Sequence, residues 1–223
     1  MKKLINGIIE FRKNVLDGYK ERFAQLALLQ KPDSLFIACS DSRVVPNLFA
    51  STNPGDLFVV RNIGNLVPSS CYSNFSQHEN SVAAAIEFAL SVLQVTNIIV
   101  CGHSQCGAVR AIMDGKDNLN LPHLQRWLVY GEPMVANTDL QEKLEHDAAL
   151  DSYNHASQLN VLLQLEHLKT YPLVQKKMAE GSLFLHGWWF DIAKADVYAY
   201  EEDFKRFVLI DEVEADRILE KLG

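Results

Sequence analysis

Apolar residues near the start of the chain recur with a helical spacing. They are Leu4, Ile8, Phe11 and Val15. This spacing puts the apolar side chains on one face of a helix, and residues 22–30 form a second segment of the same kind. Gly18 lies between the two segments and is predicted to interrupt them. We therefore expect a helical N-terminal arm over residues 1–30.

Three short apolar runs follow, and each is typical of a buried strand. They cover residues 34–38, 57–60 and 97–101. Between the second run and the third, residues 80–93 return to helical spacing, with Asn80 or Ser81 as the predicted N-cap. A strand, a helix and a strand in this order predict a crossover between parallel strands.

The second half of the chain is predicted to add helices and a hairpin. The helices are expected over residues 105–114, within 138–169 and over 212–222. The apolar segments 182–192 and 196–200 are close enough in sequence to pair as a hairpin. The predicted fold class is therefore α/β, with a mainly parallel β-sheet flanked by helices, an N-terminal helical arm and a C-terminal hairpin. We expect a single domain over residues 1–223.

Charge and composition narrow the possible partners. The chain has 223 residues, 48% of them hydrophobic, and a formal net charge of −7. An acidic chain does not offer the basic surface that nucleic acids and anionic membranes require, so we expect neither as a partner. No segment approaches the roughly 20 apolar residues of a membrane helix. Glu10, Arg12 and Lys13 interrupt the first apolar segment, so no signal peptide is predicted and we expect a cytoplasmic protein. The acidic charge favours a small-molecule substrate.

Four cysteines in such a chain are expected to be reduced, catalytic or metal-bound. Cys39 follows the first predicted strand, and His103 and Cys106 lie three residues apart where the third predicted strand gives way to a helix. Residues three apart on a helix share a face, so His103 and Cys106 are predicted to converge on one ion. The carboxyl ends of parallel strands meet at one edge of the sheet, where Cys39 would join them. Two thiolates and one imidazole suit tetrahedral Zn²⁺ with one open position.

Asp41 and Arg43 follow Cys39 at alternate positions. A buried carboxylate and guanidinium are costly unless they pair, so one interpretation is an ion pair that anchors the loop. The other interpretation gives the pair a chemical role, in which Arg43 keeps Asp41 ionised and directed at the open position of the metal. Cys39 has a simpler interpretation as well, because a lone cysteine at a strand end is often a small buried hydrophobe.

Three motifs together resemble the β-class carbonic anhydrases. They are CSDSR at 39–43, PGDLFVVRNIGNLVP at 54–68 and GHSQCG at 102–107, and the segments 160–174 and 182–192 also resemble that family's C-terminal half. The resemblance implies one Zn²⁺ per subunit with Cys39, His103 and Cys106 as ligands, and Asp41 and Arg43 as a catalytic dyad. It also implies an obligate dimer, often doubled to a tetramer, with the arm of residues 1–30 in the dimer contact and the active site at the interface.

The resemblance further implies three residues that line the substrate pocket, partly from a neighbouring subunit. Matched by position they are Gln30, Phe58 and Phe88, and Phe88 stands where the plant-like branch of the family has a tyrosine. The other branch places a tryptophan and a glycine where this chain has Phe36 and Ala38. We therefore expect an accessible site in which Asp41 stays paired with Arg43 instead of binding zinc.

The predicted function is reversible hydration of carbon dioxide to bicarbonate and a proton. The zinc would supply a hydroxide nucleophile, and the Asp41–Arg43 dyad would orient it. Hydrolysis of carbon disulfide or carbonyl sulfide by the same chemistry is an alternative. A non-catalytic protein with structural zinc is another, and a thiol redox protein is disfavoured because the chain has no C-x-x-C motif.

The remaining cysteines and aromatic residues are predicted to have structural roles. Cys101 is expected in the core. Cys71 and His78 are expected on the surface, with binding of a second ion as the alternative. His186 and the pair Trp188 and Trp189 are expected to serve strand packing and subunit contact.

Overall fold

The computed structural model describes residues 1–70 and 81–222. Six strands form one sheet in the order β2-β1-β3-β4-β5-β6. The strands are β1 (Ser34–Cys39), β2 (Leu57–Asn62), β3 (Asn97–His103), β4 (Phe184–Asp191), β5 (Asp196–Glu201) and β6 (Arg206–Leu209). Asn80, Cys71 and His78, to which the sequence analysis gave roles, lie outside the described residues.

The first four strands of the chain run parallel to one another, and β5 and β6 are added to the sheet by antiparallel pairing. β1 pairs with β2 and with β3, and β3 pairs with β4, all in parallel. β4 and β5 form the predicted hairpin, and β6 extends it. The mainly parallel sheet and the hairpin are thus confirmed. The predicted crossover from β2 to β3 is parallel, but it passes over β1, which lies between those two strands.

Eleven α-helices lie in the described part of the chain. They are α1 (Lys2–Glu10), α2 (Leu16–Leu26), α3 (Pro46–Phe49), α4 (Ser81–Ser91), α5 (Gly107–Met113), α6 (Pro122–Leu128), α7 (Pro133–Ala136), α8 (Thr138–Glu142), α9 (Ser152–Leu168), α10 (Pro172–Ala179) and α11 (Glu212–Leu222). None of those helices has both the length and the hydrophobicity needed to span a membrane.

The N-terminal arm is helical as predicted, but Gly18 does not interrupt it. Gly18 lies inside α2, and the irregular segment is a π-helical turn at Phe11–Val15 that joins α1 to α2. A glycine costs an exposed helix only about 1 kcal/mol, which a continuous helix tolerates. No residue of α1 or α2 is buried within this chain.

The two faces of the sheet are covered unequally. Leu35 and Ile37 of β1 belong to the main core, which α4, α5 and α9 cover from one side. Phe36 and Ala38 point to the opposite face, where a smaller cluster forms with the help of Phe49 from the four-residue helix α3. Because neighbouring strand residues alternate between faces, this division follows directly from the sequence.

The aromatic residues of β4 serve strand packing, as predicted. Trp189 is 2% exposed, and its indole Nε1 donates to Ser157 Oγ of α9 at 2.6 Å. Trp188 packs edge-on against Phe36, with ring centroids 5.8 Å apart. Cys101 is fully buried in the smaller cluster, which confirms its place in the core.

Helix α9 approaches β3 closely because Gly102 has no side chain. A Cβ atom on Gly102 would lie 2.6 Å from Val161 Cγ2 and 3.2 Å from the Ser157 carbonyl oxygen. The first distance is shorter than any normal carbon contact, so the helix and the strand would have to separate to admit a methyl group.

We predict that Gly102→Ala lowers the free energy of unfolding by about 1–3 kcal/mol, the usual cost of overpacking a core. Gly18→Ala is the matched control, since a Cβ there meets nothing within 4 Å and replaces a helical glycine. Urea unfolding of both variants measures the difference. Equal stabilities for the two variants would contradict the close approach of α9 to β3.

Candidate metal centre

Three potential metal ligands meet at the carboxyl edge of the parallel sheet. Cys39 is the last residue of β1, His103 is the last residue of β3, and Cys106 precedes the first turn of α5. Their ligand atoms all lie within 4.8 Å of one another, and all three residues are buried. Because β1 and β3 are parallel neighbours, their ends must lie side by side. The predicted convergence of the three side chains is therefore confirmed.

The route by which His103 and Cys106 converge differs from the prediction. They do not share a helix face, because His103 ends a strand and Cys106 is the N-cap of α5. Gln105 between them adopts a left-handed conformation with φ 54°. The chain turns sharply at this residue, and the turn brings Cys106 back towards His103.

The imidazole of His103 is oriented with one nitrogen free. Nδ1 lies 2.9 Å from the carbonyl oxygen of Ser104, which can only accept a hydrogen bond, so Nδ1 carries the proton. Nε2 is buried and has no hydrogen-bond partner among the described residues. A buried nitrogen with an unused lone pair is costly unless it binds a metal.

The two thiols are electrostatically unequal. The hydrogen bond from Cys106 lowers the pKa of Cys39 to about 4, and contacts with His103 and the Gly64 N–H act in the same direction. The Gly64 N–H donates to Cys39 Sγ at 3.4 Å. The pKa of Cys106 is raised, because its proton is held by the Cys39 sulfur and its thiol is buried. Two sulfurs and one imidazole nitrogen are a donor set that fits tetrahedral Zn²⁺ with a fourth position left for a small molecule.

Buried polar residues of α9 hold the loop that carries Gly64. Asn160 Nδ2 donates to the Gly64 carbonyl at 3.0 Å, and Gln164 Oε1 accepts from the Val67 N–H at 2.8 Å. Gln164 also donates to Asn160 Oδ1, so the two amides form one chain of hydrogen bonds. The sequence analysis missed this function. Its signal was the presence of Asn160 and Gln164 among the leucines of the buried helix α9.

Asp41 and Arg43 form a bidentate ion pair, as expected. Arg43 Nε lies 2.9 Å from Asp41 Oδ1, and Nη2 lies 2.7 Å from Oδ2. These hydrogen bonds hold the pKa of Asp41 well below its usual range. Asp41 is not part of the three-residue donor group. The Arg43 guanidinium also reaches the Gln105 carbonyl oxygen, at 3.3 Å.

Arg61 anchors the loop that carries Asp41 and Arg43. Its guanidinium donates to the carbonyl oxygens of Cys39, Asp41 and Val44 at 2.6–3.1 Å. The sequence analysis gave Arg61 no role, because carbonyl partners leave no trace in the sequence. This one side chain joins the end of β2 to the loop after β1.

Gln30, Phe58 and Phe88 lie together but apart from the metal ligands of the same chain. Phe58 pairs in register with Leu35, four residues before Cys39, which is about 13 Å along the strand. The Phe58 and Phe88 rings are 5.7 Å apart. Gln30 and Phe88 line an open groove of about 810 Å³ between the end of α2 and α4.

The fold and the donor group together define a mainly parallel α/β protein with three buried potential metal ligands at the carboxyl edge of its sheet. Comparison with known proteins agrees with this class. The model of the carbonic anhydrase family matches residues 34–197. The chain is 39% identical to a carbonic anhydrase of Pseudomonas aeruginosa, over 95% of this chain and 93% of that protein. It is 38% identical to one of Synechocystis sp., over 93% of this chain and 74% of that protein.

Solved structures show the same relationship. The β-carbonic anhydrase CcaA superimposes with a TM-score of 0.81 at 37% identity and covers 94% of this chain and 98% of its own. A tetrameric β-carbonic anhydrase of Sordaria macrospora gives a TM-score of 0.72 at 29% identity, over 89% of this chain and 97% of its own. The chain therefore belongs to the carbonic anhydrase family, and within it to the β class, whose members are lyases.

We predict that the metal-free protein carries one thiolate per chain at pH 7, detected by absorbance near 240 nm. The folded pKa of Cys39 lies below that of an unfolded cysteine, about 8.5. The thiolate therefore stabilises the fold fully at pH values above the unfolded pKa, and this contribution is lost as the pH falls through about 4. Cys39→Ser should remove the absorbance at pH 7. A parent protein whose thiolate absorbance appears only above pH 8 would contradict the prediction.

Proposed function

We propose that this protein catalyses the reversible hydration of carbon dioxide to bicarbonate and a proton, with one Zn²⁺ per subunit bound by Cys39, His103 and Cys106. The observation that carries the proposal is the Asp41–Arg43 ion pair beside a donor group of three. In the described residues this group includes no fourth protein ligand, and the proposal assigns the fourth position of a tetrahedral Zn²⁺ to a water molecule. Zn²⁺ supplies a Lewis acid that makes such a water acidic near neutral pH.

Asp41 orients the nucleophile in this proposal. Its carboxylate is ionised at neutral pH because Arg43 lowers its pKa, so it accepts hydrogen bonds and donates none. A hydroxyl group beside it must then donate a hydrogen bond to Asp41 and turn a lone pair towards the substrate carbon. Arg43 in turn keeps Asp41 from capturing the hydroxyl proton.

The substrate pocket is proposed to form between two copies of the chain. Phe58 lies about 13 Å from Cys39 of its own chain along the strand direction, and Phe88 and the groove with Gln30 lie beside it. This offset supports a role for the three residues in the site of a partner. Phe58 would form an apolar wall for carbon dioxide, and the Gln30 amide would donate to bicarbonate. Phe88 has no hydroxyl group and would contribute packing alone.

A homodimer also gives the N-terminal arm a partner. Leu4, Ile5 and Ile8 are 51–66% exposed on α1, although their spacing gives the helix an apolar face. We propose that the arm of one subunit packs on the other. The tetrameric relative from Sordaria macrospora is consistent with such dimers associating further.

We also propose a cytoplasmic location. Cys39, Cys101 and Cys106 are free and buried, and reduced cysteines are typical of a reducing compartment. A small uncharged substrate and an acidic chain require neither a nucleic acid nor a membrane surface as partner.

The experiment that tests the function is stopped-flow hydration of carbon dioxide by the zinc-loaded protein from about pH 6.5 to 9, around the usual pKa of zinc-bound water. We expect a rate well above that of the buffer, rising with pH. No rate at any pH, with zinc bound, would reject the proposal. Parallel assays with carbonyl sulfide and carbon disulfide would then separate a sulfur-compound hydrolase from a protein with structural zinc.

We predict that Asp41→Asn lowers kcat/KM for hydration by about 100-fold or more, the usual contribution of a positioned acid or base. The amide can donate a hydrogen bond, so it no longer enforces one orientation of the nucleophile. Zinc content should stay at one per chain, because Asp41 is not in the donor group. Asp139→Asn, an exposed change on α8, is the control. A rate for Asp41→Asn within twofold of the control would contradict the assigned role.

We predict that the parent protein sediments as a dimer or a larger assembly, and that Ile8→Asp weakens it by about 10-fold or more, because burying an isoleucine contributes roughly 1.5–3 kcal/mol. Val213→Asp makes the same kind of change at a 79% exposed position of α11 and is the control. Sedimentation velocity over a range of concentrations measures both. A monomeric parent protein would contradict the proposed subunit contact.

A further inference from the structure

Gln105 lies between the proposed ligands His103 and Cys106, and each of its polar groups has a partner. The N–H donates to Asn154 Oδ1 at 2.8 Å, and Nε2 donates to Asp151 Oδ2 at 3.0 Å. Oε1 accepts from Arg110 at 3.0 Å. The carbonyl oxygen accepts from Arg43 at 3.3 Å. One exposed residue thus joins the start of α9 to the guanidinium that pairs with Asp41.

The backbone of Gln105 explains why it needs such partners. Its φ of 54° is in the left-handed region, which residues other than glycine rarely adopt without support. This conformation produces the turn that brings Cys106 back to His103. The same turn directs the Gln105 carbonyl towards Arg43. The metal ligands and the ion pair therefore depend on one unusual backbone conformation.

Asn154 is well placed to hold that conformation. It lies in the first turn of α9, where its N–H donates to Asp151 Oδ1 at 2.8 Å and its Nδ2 lies 3.4 Å from Asp151 Oδ2. These contacts leave Oδ1 facing the Gln105 N–H. The helix itself is attached through Ser157 to Trp189 of β4, the strand that pairs with β3, so Asn154 is held relative to the sheet.

We propose that Asn154 is a positioning residue for the metal centre. By accepting the Gln105 N–H it keeps residue 105 in the left-handed conformation, which holds Cys106 within reach of His103 and the Gln105 carbonyl against Arg43. The catalytic part of this inference rests on the proposed function, whereas the part that concerns metal binding does not.

The test compares three full-length variants reconstituted with Co²⁺, whose d–d absorption reports the ligand geometry. Asn154→Ala removes the acceptor, and Asn154→Asp keeps an oxygen in its place. Asn137→Ala is the matched control, because Asn137 Oδ1 accepts the Leu140 N–H at 3.2 Å at the start of α8 and stabilises a helix without contacting the metal loop. Competition with a chelator measures cobalt affinity, and thermal unfolding measures stability.

We expect Asn154→Ala to bind cobalt about 10-fold more weakly and to change its absorption spectrum, as is typical when a residue that orients metal ligands is lost. Asn154→Asp should keep the parent spectrum and lie closer to the parent in affinity, and Asn137→Ala should match the parent in both. The inference is wrong if Asn154→Ala keeps the parent affinity and spectrum and loses only stability. It is also wrong if Asn154→Asp folds but binds cobalt as weakly as Asn154→Ala.

The kinetic measurement separates this inference from the proposed function. If the parent hydrates carbon dioxide, Asn154→Ala should lower kcat more than it raises KM, because Arg43 and Asp41 lose their fixed position and the substrate pocket does not change. If the parent binds cobalt but has no hydration activity, the proposed function fails. The cobalt results on the variants still decide whether Asn154 positions the ligands.

Discussion

The parallel pairing of β1 with β3 is the constraint on which the metal centre depends. It places the ends of the two strands at one edge of the sheet, so that Cys39 and His103 meet although 64 positions separate them in the sequence. Cys106 joins them through a single turn. A cluster of two thiols and an imidazole with no metal would leave a nitrogen without a partner and two sulfurs competing for one proton. The arrangement therefore supports the proposed metal centre.

Helix α9 supports the loops that carry Gln105 and Gly64 through hydrogen bonds. Its first turn contacts Gln105, and its middle contacts Gly64 through Asn160. Polar side chains in a buried helix are costly, but here each amide is paired with a main-chain group of a loop that lacks its own regular hydrogen bonds. The same contacts that satisfy the helix thus hold the Gly64 N–H against Cys39 Sγ. The hydrogen bonds of this helix therefore contribute both to the stability of the fold and to the positions of the proposed metal ligands.

Parts of the surface of the single chain are suited to contact with a second copy. The arm exposes an apolar helix face, and the groove that contains Gln30 and Phe88 lies away from the proposed metal ligands of its own chain. A second copy would cover the apolar surfaces and bring the groove to a metal centre. In the proposed oligomer, one association would then contribute to both stability and substrate binding.

The sequence by itself determined the fold class, the hairpin and the donor residues. Strand and helix periodicity are local properties, and cysteine, histidine, aspartate and arginine have distinctive chemistry at strand ends. It did not determine that β1 lies between β2 and β3, because strand order depends on contacts between distant segments. It also could not show that Gln105 is left-handed or that Asn154 and Asn160 support the ligand loops. Those facts depend on main-chain groups, which are chemically the same at nearly every residue, so only the tertiary structure selects their partners.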